Sequence, residues 1–163
     1  MRFSKKFFAI VFFITLFNYT SFGQTKISAI QAKLFYNEKE SGKDVSGTFS
    51  DNIIDNSEVT LWNSVIGEGS AEGPSKQTIV IVEVTSNGQS NKNQILKFSA
   101  TAGKKVLLQQ QKTFSCIGDK TKYKLLFLLE ETGCDTISLK AEIIKNGKSV
   151  STMNKTINFE CGE

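Results

Sequence analysis

Seven consecutive residues, Thr78-Ile79-Val80-Ile81-Val82-Glu83-Val84, constrain the fold of this chain more than any other stretch, because six of them are β-branched. Branching at Cβ stiffens χ1 and crowds a helical turn, whereas a pleated strand packs such side chains well. The nearly unbroken apolar run predicts a strand covered on both faces. Ser86-Asn87-Gly88-Gln89 ends it, since Asn and Gly tolerate the positive φ of a turn. Ile95 to Thr101 resumes extended structure, Ala102-Gly103-Lys104-Lys105 breaks it, and Val106-Leu107-Leu108 opens a third strand. Three strands in about forty residues predict an all-β domain with short connections.

The flanking sequence continues the pattern. Lys26 to Tyr36 reads as a strand with Ile30, Ala32, Leu34 and Tyr36 on one face, followed by a polar loop from Asn37 to Lys43. A weaker extended piece covers Val45 to Phe49, a polar stretch covers Ser50 to Ser57, and Val59 to Ile66 reads as a strand despite the helical spacing of Trp62 and Ile66. Gly67 to Ser75 holds the single proline and is a solvated linker: it lacks the Gly-Lys-Ser/Thr ending of a phosphate loop and offers too few carboxylates for calcium. Tyr123 to Leu129 is apolar on both faces after Lys124, while Ile137, Leu139, Ala141 and Ile143 alternate with polar residues as in a strand with one wet face. Asn146-Gly147 is the best hairpin turn, and Val150 to Cys161 closes the chain. The sum is an immunoglobulin-like antiparallel β-sandwich of about seven or eight strands.

Residues 1–23 read as a secretory signal peptide: Arg2, Lys5 and Lys6 form the basic region, Phe7 to Phe17 the apolar region, and Ser21-Phe22-Gly23 a small-residue cleavage site. The apolar run is shorter than the roughly 20 residues a membrane span needs. Removing it leaves a single domain over residues 24–163 and takes away three of the 20 basic residues, so that 17 face 16 acidic ones. A nearly neutral exported chain of this kind gives no reason to expect nucleic acid, and a periplasmic or extracellular monomer is expected. Three cysteines in such a chain allow one internal disulfide and one odd thiol. The strand between Cys116 and Cys134 would separate them by roughly 25 Å, against a Cα limit near 7 Å. Cys134 and Cys161 instead flank the open ends of the Asn146-Gly147 hairpin and are the expected pair, although Cys134 is one residue out of step with Ile137.

The chain has no histidine, which removes the commonest general base, the usual nucleophilic triads and most zinc or copper sites. Glu68, Glu72, Glu130 and Glu131 form no pattern that suggests paired acid and base, and the cysteines show no CxxC spacing. No enzymatic activity and no cofactor are expected. One charge pattern stands out: Lys120, Lys122 and Lys124 alternate, so an extended chain places them in a row on one face, with Lys104, Lys105 and Lys112 as further basic residues. Such a row suits an acidic or disordered polypeptide, and it also serves simply to keep a strand soluble and unpaired.

The central stretch resembles a known family. Gly88-x-Ser90, then Gln94, Phe98 and Gly103, followed by Leu107-Leu108, is similar in type and spacing to the G-x-S-x3-Q-x3-F-x4-G pattern of the CsgH-like curli-assembly proteins, related in fold to CsgC, over about residues 84 to 108. The resemblance implies a small periplasmic immunoglobulin-like sandwich that keeps amyloid fibre subunits from polymerising before secretion. The CxC of the CsgC branch is missing here, so no redox role is implied. The partner so implied is an extracellular amyloid-type fibre subunit. The alternative, from a different class, is a generic envelope or extracellular binding module for adhesion or carbohydrate, for which Trp62, Tyr36 and Tyr123 are the aromatic candidates.

Overall fold

The computed structural model describes residues 25–40, 43–54, 59–60, 77–87, 91–117, 121–130, 132 and 135–160. They form ten strands: β1 (Thr25–Glu40), β2 (Lys43–Phe49), β3 (Val59–Thr60), β4 (Gln77–Ser86), β5 (Asn91–Ala102), β6 (Lys105–Cys116), β7 (Thr121–Leu129), β8 (Ile137–Lys145), β9 (Lys148–Ile157) and β10 (Phe159–Glu160). Two four-stranded sheets take the orders β2-β1-β4-β7 and β6-β5-β8-β9, and β3 pairs with β10. With β1, β4, β5, β6, β7, β8 and β9 as strands A, B, C, C′, E, F and G, the sheets read A-B-E and C′-C-F-G, the immunoglobulin-like arrangement, and β2 is added outside A. Both large sheets are antiparallel throughout. The small β3/β10 pair is parallel, an exception to the expected all-antiparallel pairing. The last strand stops at Ile157, is interrupted at Asn158, and resumes for two residues as β10 rather than running unbroken to Cys161.

Alternation builds the core. Ile30, Ala32 and Leu34 of β1, Val80, Val82 and Val84 of β4, and Phe127 and Leu129 of β7 face Leu96, Phe98 and Ala100 of β5 and Leu139, Ala141 and Ile143 of β8. Each large side chain removed from water in this way contributes about 1.5–3 kcal/mol. At the centre the rings of Phe98 and Phe127 stack across the two sheets with centroids 4.3 Å apart. The strand predicted to be covered on both faces is covered on one: Ile79 and Ile81 of β4 are only half-buried, because their side of the sheet carries no further layer among the described residues.

The polar stretch after β2 is more structural than its composition suggests. Ser50 and Ile53 donate their backbone N–H groups to the carbonyls of Leu34 and Ala32, both at 2.9 Å. The side chains of Ser50 and Asn52 in turn accept from Leu34 N–H at 2.9 Å and Ala32 N–H at 3.0 Å. These bonds carry Ile53 and Ile54 into the core. The expected loop from Asn37 to Lys43 is also shorter, since β1 runs on to Glu40 and pairs with β2 through a bulge at Glu38/Lys39. The Asn146-Gly147 turn has φ of 51° and 75°, and two positive values are what a two-residue type I′ hairpin requires. Gly103, at φ 54°, makes the β5/β6 turn.

Candidate functional site

The two long sides of the sandwich differ. On one side β1 meets β9: Ile27 donates its N–H to Ser151 Oγ at 3.0 Å, and the outer margin of β1 is occupied by β2 and residues 50–54. On the other side, β6 and β7 are the free edges of their sheets among the described residues. Between them lies a cleft of about 760 Å³, lined by Val106, Leu107 and Leu108 of β6 and by Leu126, Phe127 and Leu128 of β7. At the other end of this side, Ile117 N–H donates to the Tyr123 hydroxyl at 2.7 Å.

Charge is unevenly placed along β7. Side chains alternate, so that Tyr123, Leu125, Phe127 and Leu129 turn inward while Lys122, Lys124, Leu126 and Leu128 turn outward. Leu126 and Leu128 are 54% and 42% exposed. Across the ladder they stand beside Ile81 and Ile79, making an apolar strip on the outer face. Lys124 stands beside Glu83 and pairs with it at 3.4 Å, and Lys122 stands beside Thr85. From β6, Lys112 crosses the cleft. Its ammonium lies 4.7 Å from the Phe127 ring centroid and donates to the Leu126 carbonyl. A lysine with its stem along apolar surface and its head on an edge carbonyl closes a strand edge without covering it.

The residues singled out by the sequence do not form one site. Gly88, Ser90, Lys120, Cys134 and Cys161, and the linker from Gly67 to Ser75, lie outside the described residues. Gln94 is fully buried and donates from Nε2 to Thr25 Oγ1 at 3.2 Å. Phe98 is in the core and Gly103 is a turn, so these three positions spread along β5 and the turn that follows it. Lys122 and Lys124 are exposed on β7 as expected for a row on one face. A strand apolar on both faces after Lys124 does not by itself mark Leu126 and Leu128 as exposed. The available signal was the order Lys, Lys, Leu, Leu at alternate positions of an edge strand.

At the opposite end from the cleft, Thr25, Ser86, Gln94 and Cys116 make a buried polar cluster. Cys116 is a free thiol there. Burial pushes its pKa up, against a smaller downward pull from Ser86 and Thr25. The Gln94 Oε1 atom is buried with no hydrogen-bond partner among the described residues. Among the described residues no group of three or more His, Cys, Asp or Glu side chains is placed to hold a metal ion.

No protein-family model and no curated protein matches this chain. Among solved structures it is similar to a beta-glucuronidase from glycoside hydrolase family 2, at 14% identity and a TM-score of 0.41, over 51% of this chain and 10% of that one. The match spans about a tenth of the enzyme's length, and nothing of the enzyme's activity is carried over from it.

Proposed function

We propose that this chain is an exported, non-enzymatic β-sandwich that acts as an accessory or anti-nucleation factor for a curli-type amyloid fibre subunit. The observation that supports this reading best is the open β7 edge, basic at Lys122 and Lys124 and apolar at Leu126 and Leu128, beside a cleft. An amyloid nucleus grows by adding strands to exposed edges. A folded domain that pairs briefly with an extended subunit withholds that subunit from the nucleus, and surface charge speeds the encounter without making the complex tight. The carbohydrate-binding alternative gains no specific support: Trp62 lies outside the described residues, and the Tyr123 hydroxyl is engaged by Ile117.

The test is a thioflavin time course of a curli-type subunit with the chain from Gln24 to Glu163 at about one-tenth of an equivalent. A lag lengthened several-fold, and not reproduced by an unrelated secreted sandwich, is the expected result. An unchanged lag with a folded domain overturns the proposal.

A further inference from the structure

We infer that β7 is the edge that accepts an incoming strand, and that the strand it accepts is an unfolded segment with acidic residues facing Lys122 and Lys124 and apolar residues facing Leu126 and Leu128. This rests on the reading above that the chain binds an extended polypeptide.

The bond from Lys112 to the Leu126 carbonyl shows which way that carbonyl points: away from β4, toward the free edge. In an antiparallel strand a residue's N–H and C=O project to the same side, and alternate residues project to opposite sides. Lys122, Lys124, Leu126 and Leu128 therefore present their backbone groups to the edge, and their side chains share the outer face. A partner residue that hydrogen-bonds to one of these four stands directly beside its side chain. The next partner residue turns inward, into the cleft over Leu107, Leu108 and Phe127. An antiparallel partner thus carries outward residues in the order apolar, apolar, acidic, acidic, with apolar residues between them.

The cleft also selects the kind of partner. A second copy can align its own β7 about Leu126, which sets Lys122 beside Glu130 of the other copy. Its inward side chains, however, are already committed to its own core, as Phe127 and Leu129 are here, and the cleft stays unfilled. Only a strand free on both faces pairs with the edge and fills the cleft together. Lys112 is then a placeholder: its ammonium satisfies the Leu126 carbonyl until a partner N–H takes it.

The inference is tested with a fluorescent peptide Leu-Val-Leu-Val-Glu-Val-Glu and its counterpart with both Glu replaced by Lys, titrated against the chain and its Lys122→Glu/Lys124→Glu variant. The chain is expected to prefer the Glu peptide by about tenfold, two exposed ion pairs replacing two repulsions, and the variant to reverse that order. Lys112→Met is expected to tighten binding several-fold. Lys122→Glu alone breaks no ion pair of the described residues and halves the effect if the double variant misfolds. A preference that the charge reversal leaves unchanged overturns the inference, as does a chain that sediments as a dimer and binds neither peptide. The two readings fail separately. Reversed peptide preference with an unchanged fibre lag removes the amyloid client and keeps the edge, whereas a lengthened lag with no reversal keeps the client and removes β7.

Discussion

Burial decides the chemistry of Cys116. An exposed thiol is open to oxidation, whereas this one is fully buried among Thr25, Ser86 and Gln94. Its pKa is raised, mainly by desolvation, so the folded state holds the proton to higher pH than the unfolded chain does. The sign follows: this contribution to stability is fully present below the unfolded thiol's pKa, about 8.5, and is lost as pH rises through the folded value. Denaturant unfolding of the wild type and of Cys116→Ala between pH 7 and pH 10.5 checks this. The wild type is expected to lose stability above about pH 8.5 faster than the variant, and parallel curves would refute the assignment. Period-two spacing puts Gln94 on the face of Leu96, Phe98 and Ala100, but a polar residue five positions after a turn signal reads as solvated until both sheets are in place.

Turns were the elements most legible in the chain. Asn146-Gly147 specifies its hairpin because both residues adopt positive φ at low cost, and β8 and β9 then pair from Lys145↔Lys148 outward. Gly147→Ala is expected to cost about 1–2 kcal/mol, from forcing a Cβ into φ 75°. No atom stands within 4 Å of that Cβ, so the cost is conformational rather than steric. Equilibrium urea unfolding with an unchanged m-value measures it. Strand existence was also readable, in β1, β4, β5, β7 and β8, from β-branching and alternation. Strand ends were not: β1 and β2 extend each other past the polar residues Asn37 to Lys43 because pairing satisfies backbone groups whatever the side chains are. Ile53 and Ile54 were hidden for the related reason that side-chain and backbone bonds to β1, not hydrophobic periodicity, bring them inward.

At the largest scale the sandwich of the described residues is asymmetric, stitched along β1 and β9 and open along β6 and β7. An exposed apolar edge is a hazard unless it is used, and native proteins commonly place charge there. Leu128→Lys is expected to raise solubility, measured by precipitation with ammonium sulfate, while changing stability by no more than about 0.5 kcal/mol, since the side chain is 42% exposed. A loss of several kcal/mol would mean that Leu128 belongs to the core rather than to a binding edge.

The amino-acid sequence by itself determined the class of the fold, the turns at Gly103 and Asn146-Gly147 and the inward sets of β1 and β8, because those follow from backbone preferences and from period-two alternation within a few residues of one another. It also carried the row of Lys122 and Lys124. The tertiary structure alone decided which strands lie at the edges, that β7 is one of them, that Lys112 of another strand reaches its Leu126 carbonyl, and that Gln94 is buried. Those facts depend on which sheet each strand joins and on what stands opposite it, and strand order is a long-range property that local sequence does not encode.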